Sequence, residues 1–237
     1  MSLGHKISSM LSALFSAWVI CRGCLKSMPD GGEAGLCASC WSGLWPLAED
    51  RCPRCALAHG AERACPDEVS WEYGDALWNY KGGRPAMGML LVPGIKSGEK
   101  GWRLALLRRV SSAELPGWAG NVDLVTSVPP SPWHKLMRGF DLAGEAAQLI
   151  SKKTARPYTK TMSRAWFSKR QAKQTESQRR RMPQKNMRLR RNADVSGKII
   201  LLVDDVWTTG TTLLRCARTL LKSGAKEVRV ISLFRAV

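Results

Sequence analysis

The sequence predicts an α/β protein in which a parallel β-sheet is flanked by helices and preceded by a small cysteine-rich module. The sheet is predicted from an apolar strand at 198–206, a helical pattern at 211–222 and a second apolar strand at 227–234. A strand, a helix and a strand in this order favour parallel pairing through a crossover, with both faces of the sheet buried. The module is predicted because seven of the eight cysteines lie between Cys21 and Cys65.

The composition indicates a folded chain with an anionic partner. The 237 residues are 44% hydrophobic, which is enough for one medium domain and one small one. The 37 Lys and Arg residues exceed the 19 Asp and Glu residues and give a net charge of +18. This excess points to nucleic acid, a phosphorylated small molecule or an acidic membrane surface. A basic surface that contacts only solvent is the alternative.

No segment is predicted to cross a membrane, because no run reaches the roughly 18 to 20 apolar residues that a spanning helix needs. The apolar stretch 10–20 lacks a small-residue cleavage site, and Ile20 before Cys21 argues against a lipoprotein signal. Residues 7–20 instead predict an amphipathic helix packed on the cysteine module, with membrane contact as a minor alternative. We expect a cytoplasmic protein, in which clustered cysteines bind metal more often than they form disulfides.

The cysteine-rich module is predicted to span residues 1–75, and the sheet domain 76–237. Three C-x-x-C pairs occur in the module, at 21–24, 37–40 and 52–55. Each pair can present two thiolates to one Zn²⁺ from a tight turn, and two such turns complete a tetrahedron. The first two pairs are separated by 12 residues and predict a structural zinc ribbon, whose ligands are Cys21, Cys24, Cys37 and Cys40.

A second zinc site is predicted from Cys52, Cys55 and Cys65. Its fourth ligand stays open: His59 is a candidate, because "CPDE" at 65–68 lacks the second cysteine of a pair. A redox-active C-x-x-C is a further alternative, although it would need a thioredoxin-like strand before it and a helix after it. Because protein ligands would fill the positions around the metal, we expect zinc to be structural rather than catalytic.

The middle of the chain mixes helical and strand-like patterns. The periodicity predicts a helix at 104–110, a buried strand at 122–129 that ends at two prolines, and a helix at 140–153. Residues 151–191 carry 15 Lys and Arg against one acid, Glu176, and therefore +14 of the net charge. This basic segment predicts a mobile loop with a helical turn or two. Core positions are expected for Trp78, Trp102 and Cys216.

The stretch "VDDVWTTGTT" (203–212) follows the strand at 198–206 and predicts a ligand site. The strand delivers Asp204 and Asp205 to the carboxyl edge of the sheet, where open α/β folds bind ligands. The helix that begins near Thr211 presents free N–H groups to an anion, and Gly210 allows close backbone approach. Carboxylates next to a phosphate cradle suit a sugar phosphate, because they accept hydrogen bonds from ribose hydroxyls. A simple helix cap is the alternative, but one threonine would suffice for that.

"VDDVWTTGTT" resembles the ribose-phosphate signature of type I phosphoribosyltransferases. With the cysteine module in front, the chain resembles the ComF family of competence-associated proteins over nearly its full length. "VPPSPWHKLMRGFDLAGEAAQLI" (128–150) resembles the family's proline-ended strand, its basic turn with Arg-Gly-Phe and its following helix. Gln174 and "RRRMPQKNMR" (179–188) resemble its basic loop. The resemblance implies a type I phosphoribosyltransferase-like sheet behind a zinc-ribbon module.

The resemblance also implies roles for individual residues. Asp204 and Asp205 would hold the ribose hydroxyls of phosphoribosyl pyrophosphate and act as the catalytic pair. The turn at Pro129 would bind pyrophosphate, with Arg138 as a candidate cation, and Mg²⁺ would bridge the ligand's oxygens. Together with the two aspartates, the ribose 5-phosphate would be bound by Thr208, Thr209, Gly210, Thr211 and Thr212.

The implied biology is the uptake of transforming DNA, with a competence helicase as partner. Two departures from the family pattern stand out: Asp141 replaces the common Asn after Arg-Gly-Phe, and Glu68 interrupts the last C-x-x-C. The sequence leaves open whether the chain is a phosphoribosyltransferase or a non-catalytic accessory protein. The accessory protein would bind single-stranded DNA or dock on the helicase, with Trp166 and Phe167 as stacking candidates within the basic segment.

Overall fold

A computed structural model describes residues 19–28, 30–59, 65, 69–164 and 187–236 of the chain. The helix predicted at 7–20 lies almost entirely outside these residues. The described residues form two compact units. The first unit contains the described residues up to Trp45 together with Tyr80–Ala105, and the second contains Pro46–Asn79 and the described residues from Leu106 onward.

The first unit contains the first cysteine cluster and short helical segments. Helix α1 spans Ala38–Ser42 and α2 spans Met87–Lys96. Helix α3 spans Lys100–Ser112 and continues past Ala105 into the second unit, so the helix predicted at 104–110 is longer at both ends. Trp102 is 3% exposed and donates from Nε1 to the Ala34 carbonyl at 2.9 Å, which confirms its core position. The Arg22 guanidinium lies 4.5 Å from the centre of the Trp102 ring and forms a 2.6 Å ion pair with Glu99.

The second unit contains a parallel sheet. The strands in its described residues are β1 (Tyr73–Asn79), β2 (Leu124–Ser127), β3 (Met162–Arg164), β4 (Met187–Leu189), β5 (Ile199–Trp207) and β6 (Glu227–Arg235). Four of them pair in parallel in the order β1-β6-β5-β2, which places β5 and β6 at the centre. Strand β1 runs across position 76, where the sequence-based domain division falls.

The central strands are buried, as the sequence predicts for a parallel sheet covered on both faces. All residues of β2 and all but the first of β6 are buried, and β5 is buried from Ile200 to Asp204. Trp78 on β1 is 9% exposed and stacks at a tilt on Phe234 of β6, with ring centres 5.7 Å apart. Cys216 is fully buried, so both residues occupy the predicted core positions.

Helices of the second unit connect and cover these strands. Helix α4 spans Pro132–Arg138, α5 spans Leu142–Thr154, and α6 spans Thr211–Lys222. Helix α5 packs against β2 and β5, and α6 packs against β4, β5 and β6. At the start of α5, the Asp141 side chain accepts a hydrogen bond from the Gly144 N–H at 3.0 Å. An aspartate therefore replaces the expected asparagine as an effective N-cap.

The structure corrects both ends of the basic segment predicted as a loop at 151–191. Helix α5 continues to Thr154, and β3 pairs with β4 in antiparallel fashion. Met162 and Met187 are 3% and 6% exposed and belong to the hydrophobic core, which explains why these flanks are ordered. Residues 165–186, including Trp166 and Phe167, lie outside the described residues.

Smaller differences concern where elements end. The strand predicted at 122–129 is shorter, at Leu124–Ser127, and α6 ends with Ser223 as its C-cap. Gly224 follows with a φ of 97°, the left-handed conformation that glycine adopts readily just after a helix. Within the described ranges, no helix is both long and apolar enough to cross a bilayer.

Candidate functional site

The aspartate pair lies near the C-terminal end of β5, at the centre of the sheet. Asp204 is 8% exposed, and Asp205 is partly buried. The Asp204 Oδ1 atom accepts a hydrogen bond from the Asp205 N–H at 2.9 Å, and Asp205 Oδ1 accepts one from the Val206 N–H at 2.8 Å. The backbone of the strand therefore holds both carboxylates.

The threonine-rich loop leads from the aspartates directly into α6. Thr208 and Thr209 are exposed, and Gly210 has a φ of 70° as the N-cap of the helix. No side chain caps this helix start, and its first turn contains no acidic residue. The first N–H groups of α6 and the helix dipole are thus available to an anion. The hydroxyls of Thr209 and Thr211 lie 2.9 Å apart, which adds polar groups at the same place.

The turn after β2 lies at the same sheet edge. Ser127 pairs with Val203, and the Val128 N–H donates to the Val203 carbonyl at 2.9 Å. This pairing brings the turn containing Pro129 next to Asp204. Arg138 ends α4 and is partly exposed. Its assignment to the pyrophosphate stays a prediction, as do the roles of the other site residues.

Tyr158 is one site-edge residue that the sequence did not indicate. Its hydroxyl lies 3.0 Å from the Ser127 Oγ atom at the end of β2. Burial raises the pKa of Tyr158 above its usual value, and the negative charge of Asp141 acts in the same direction. The phenol therefore stays neutral at physiological pH and anchors the strand that leads to the Pro129 turn.

Arg164, the last residue of β3, is a second residue that sequence reasoning missed. Burial lowers the pKa of its guanidinium, while the negative charge of Asp204 opposes this shift. The arginine therefore lies within electrostatic range of the buried Asp204 carboxylate. No signal distinguished it from the other 14 basic residues of 151–191.

The first cysteine cluster brings together Cys21, Cys24, Cys37 and Cys40, as predicted. The sulfur atoms of Cys21 and Cys40 are 3.5 Å apart, those of Cys24 and Cys37 are 3.8 Å apart, and all four lie within 4.8 Å of one another. Zinc–sulfur bonds of about 2.3 Å in a tetrahedron place sulfur atoms about 3.8 Å apart. The cluster therefore has the donor set and the spacing of a structural zinc site.

The second cluster includes a fourth candidate ligand. Cys52, Cys55, His59 and Cys65 each offer one donor atom, and these atoms lie within 4.8 Å of one another. The Cys52 and Cys65 sulfur atoms are 3.6 Å apart, and the Cys55 sulfur is 3.0 Å from the His59 Nε2 atom. A Cys₃His set is typical of structural zinc. Of the alternatives that the sequence left open, this geometry favours His59 as the fourth ligand.

Both clusters favour the thiolate at their first cysteine. Burial raises the pKa of Cys21, but N–H groups of Cys24 and Cys37 donate toward its sulfur, and the net effect lowers the pKa to about 6. Burial also raises the pKa of Cys52, but the N–H groups of Arg54 and Cys55 donate toward its sulfur. The net effect lowers the pKa of Cys52 to about 7. Burial and the neighbouring thiolate raise the pKa of Cys40 and of Cys55 in turn, so metal binding must displace protons from these thiols.

A separate cavity of about 410 Å³ lies against β1 and β6 in the second unit. Its wall includes Asp75, which is 8% exposed, and Arg51. The Arg51 Nε and Nη2 atoms donate to the two Asp75 carboxylate oxygens at 2.7 and 2.8 Å. The pair satisfies a buried carboxylate, and the cavity is lined by residues other than those predicted for the ribose-phosphate site.

A family model described as the phosphoribosyl transferase domain matches residues 136–236. The matched residues reach from α4 to the end of β6 within the second unit, whose parallel sheet and flanking helices have a phosphoribosyltransferase-like fold. A comparison with curated proteins returned no match.

The chain is also similar to parts of solved structures. Glutamine phosphoribosylpyrophosphate amidotransferase from B. subtilis is 24% identical with a TM-score of 0.37, over 54% of this chain and 25% of that chain. Hypoxanthine phosphoribosyltransferase from Staphylococcus aureus is 11% identical with a TM-score of 0.36, over 56% and 64%. Purine phosphoribosyltransferase from Pyrococcus horikoshii is 17% identical with a TM-score of 0.34, over 57% and 87%. The chain thus spans only a quarter of the length of the amidotransferase.

Proposed function

We propose that this protein binds phosphoribosyl pyrophosphate with Mg²⁺ at the loop between β5 and α6, and that it is a ComF-like protein acting in the uptake of DNA during natural transformation. The observation that carries the proposal is the junction of two carboxylates with an uncapped helix start. Asp204 and Asp205 precede Gly210 and Thr211 at the carboxyl edge of the sheet, beside the turn that follows β2. The match to the phosphoribosyl transferase domain covers all of these elements except that turn.

Each part of the junction suits one part of the ligand. The N–H groups at the start of α6 and the threonine hydroxyls would bind the 5′-phosphate, because they are donors at the positive end of a helix dipole. The carboxylates of Asp204 and Asp205 would accept hydrogen bonds from the ribose hydroxyls. The turn at Pro129 would lie beside the pyrophosphate, with the Ser131 N–H as its backbone donor, because Pro129, Pro130 and Pro132 have no N–H.

If the group is transferred, the ribose ring becomes positively charged as the bond to pyrophosphate lengthens. The carboxylates hold the ring in place and favour this positive charge, while the loop keeps the 5′-phosphate fixed. Mg²⁺, when bound with the ligand, neutralises the charge that develops on the departing pyrophosphate. Arg138 is the proposed protein cation for the same group.

Competition with ligand fragments tests this assignment of parts. Ribose 5-phosphate should displace a labelled phosphoribosyl pyrophosphate, whereas ribose should not, because the helix start recognises the phosphate. An Asp205→Ala variant should lose affinity for both phosphorylated ligands. Asp194→Ala removes an exposed carboxylate that pairs with Lys198 outside the loop and serves as the control. Equal competition by ribose and ribose 5-phosphate would contradict the proposal. Release of pyrophosphate in the presence of a panel of bases then reports transfer.

Single-stranded DNA is the second candidate ligand, and the charge distribution favours it. The segment 151–191 supplies +14 of the +18 net charge, and its described end, from Arg188 to Arg191, is largely exposed. Lys and Arg that neutralise phosphates release counterions, so affinity for DNA depends steeply on salt.

A salt series separates the two ligands. For about six phosphate contacts, the affinity for single-stranded DNA should fall about 300-fold between 50 and 200 mM salt. The affinity for phosphoribosyl pyrophosphate should change far less, because few charges are involved. A DNA affinity that does not respond to salt would exclude the basic segment as the binding surface.

The competence helicase is the proposed protein partner, with the first cysteine cluster as its docking module. The first cluster and the loop between β5 and α6 belong to different units. A Cys24→Ser, Cys37→Ser variant should therefore lose the helicase complex in a pull-down and keep its affinity for phosphoribosyl pyrophosphate. Loss of both activities, or of neither, would count against a separate docking role.

A further inference from the structure

One buried arginine connects the second cysteine cluster to the proposed ribose-phosphate loop. Arg235, the last residue of β6, is 1% exposed. Its Nε atom donates to the Cys55 carbonyl at 3.0 Å, and its Nη1 atom donates to the Trp207 carbonyl at 3.0 Å and also to the Thr208 carbonyl. A guanidinium carries five donors in a rigid fork, so it can hold several carbonyl groups in a fixed arrangement.

The two ends of this connection have different roles. Cys55 closes the C-P-R-C knuckle and is a candidate metal ligand with Cys52, His59 and Cys65. Trp207 and Thr208 form the first part of the loop, between the aspartate pair and Gly210. A single side chain therefore spans from the backbone of a metal knuckle to the backbone of the loop, entirely within the second unit.

Aromatic packing reinforces the connection. The Arg235 guanidinium lies 4.5 Å from the centre of the Trp207 ring, and Trp71 meets that ring edge-on with centres 5.2 Å apart. The Trp71 Nε1 atom donates to the Arg54 carbonyl at 2.7 Å, which places the other end of this indole on the knuckle. The Gly74 N–H also donates to the Pro53 carbonyl at 2.8 Å, so β1 is fixed to the same turn.

We propose that the second cysteine cluster holds the loop between β5 and α6 in its binding conformation, with Arg235 as the positioning residue that transmits the position of the knuckle. A bound metal fixes the backbone of the knuckle, because four ligands from one short segment must converge on one ion. The carbonyl of Cys55 is then held where Arg235 needs it. When the metal is lost, the knuckle relaxes, the guanidinium loses a buried acceptor, and the loop loses its support. Occupancy of this cluster thereby sets the affinity of the loop for its ligand.

The identity of that ligand rests on the proposed function. The connection from the second cysteine cluster through Arg235 to the loop does not depend on it. Hydrogen–deuterium exchange of peptides covering 204–214 measures the loop without any ligand. Arg235→Met should increase exchange in this segment at least about tenfold, which corresponds to about 1.4 kcal/mol of lost local stability. Its bound zinc should match that of the wild type, since the cysteine and histidine side chains are untouched.

The matched control is Arg229→Met. Arg229 lies near the other end of the same strand, is 9% exposed, and donates to the Trp118 carbonyl at 2.8 Å. Its guanidinium also lies over an aromatic ring, that of Tyr73, at 5.1 Å. This variant removes a similarly buried arginine from β6 but leaves the knuckle and the loop in place. Exchange in 204–214 should therefore stay as in the wild type.

A double-mutant cycle tests the transmission itself. His59→Ala should lower the bound zinc by one ion per chain and increase loop exchange to about the same extent as Arg235→Met. The double variant should exchange no faster than either single variant, because both changes break one connection. Arg235→Lys keeps the positive charge but not the planar guanidinium, so exchange in 204–214 should increase less than in Arg235→Met. This second variant keeps the test decisive if Arg235→Met does not fold.

The exchange experiments decide whether Arg235 connects the second cysteine cluster to the loop. Unchanged exchange in Arg235→Met and Arg235→Lys, or effects of His59→Ala and Arg235→Met that multiply, would overturn the proposal. A titration of each variant with phosphoribosyl pyrophosphate and Mg²⁺ then gives the functional consequence, an affinity loss of about tenfold. If the wild type binds no phosphoribosyl pyrophosphate, the proposed function fails, while the exchange data still decide the link.

Discussion

Replacing Gly210 by alanine should destabilise the protein and the ribose-phosphate loop together. Gly210 has a φ of 70°, and an added Cβ atom would lie 2.9 Å from the Trp207 Nε1 atom. Trp207 is completely buried, between Trp71 and Arg235, so its ring has little room to move. A left-handed alanine costs about 1–2 kcal/mol, and a methyl group forced into a packed core costs about 1–3 kcal/mol. Their sum predicts a loss of about 2–5 kcal/mol in the free energy of unfolding.

Gly197→Ala is the matched control for this substitution. Gly197 has a φ of 67°, but nothing lies within 4 Å of the position of its Cβ atom. It should lose only the backbone contribution of about 1–2 kcal/mol. Urea unfolding followed by tryptophan fluorescence measures both variants, and titration with phosphoribosyl pyrophosphate should show weakened binding only for Gly210→Ala. Equal stabilities of the two variants would refute the packing of Trp207 beneath the loop.

Three further predictions concern groups outside the loop. Because burial raises the pKa of Cys216 well above its usual range, iodoacetamide should leave this thiol unmodified in the native protein, as judged by peptide mass spectrometry; rapid labelling would contradict the buried position. Arg51→Met leaves the Asp75 carboxylate buried without its ion pair and should cost about 1–3 kcal/mol in urea unfolding, whereas Lys198→Met, at an exposed pair, should cost less than about 0.5 kcal/mol. The pKa of Cys21 is lowered to about 6, so the stability that its thiolate contributes is present above the usual pKa of a thiol and declines as the pH falls toward 6. The apparent affinity for zinc should accordingly weaken as the pH falls from 7 to 5 in competition with a chelator dye, and an affinity that stays constant over this range would contradict this.

The architecture of the second unit follows from sequence patterns because those patterns reflect burial. Near-continuous apolar runs at 198–206 and 227–234 predict strands covered on both faces, and the structure places β5 and β6 at the centre of the sheet. The helix predicted at 211–222 is found at Thr211–Lys222. Its start is well defined because Gly210 marks the end of the loop and the amphipathic pattern begins immediately afterwards.

The cysteine clusters could also be predicted from the sequence, because metal ligation imposes a fixed spacing on the two cysteines of a knuckle. The pairs 21–24 and 37–40 predict the first cluster, and the structure brings these four sulfur atoms together. His59 could be named only as a candidate. A histidine four residues after Cys55 has no spacing rule as strong as C-x-x-C, and only the fold shows its Nε2 atom 3.0 Å from the Cys55 sulfur.

Residues whose role depends on long-range contacts could not be predicted. Arg235 reads as an ordinary basic residue at the end of a strand, yet it donates to the carbonyl of Cys55, 180 positions earlier in the chain. Tyr158 and Arg164 lie at the edge of a segment whose composition suggests a solvated loop. They are partly buried because Met162 and Met187 pack in the core, where the flanks of the basic segment pair as the short strands β3 and β4.

The central claim is that Asp204, Asp205 and the start of α6 form a site for phosphoribosyl pyrophosphate. Calorimetric titration of the zinc-loaded protein with this ligand and Mg²⁺ tests it most directly, beside an Asp204→Ala, Asp205→Ala variant and the Asp194→Ala control. We expect binding by the parent at a Kd on the order of micromolar, retained in the control and lost in the double variant. Absence of binding by the parent, or equal binding by the double variant, would contradict the account and leave the loop as part of the scaffold.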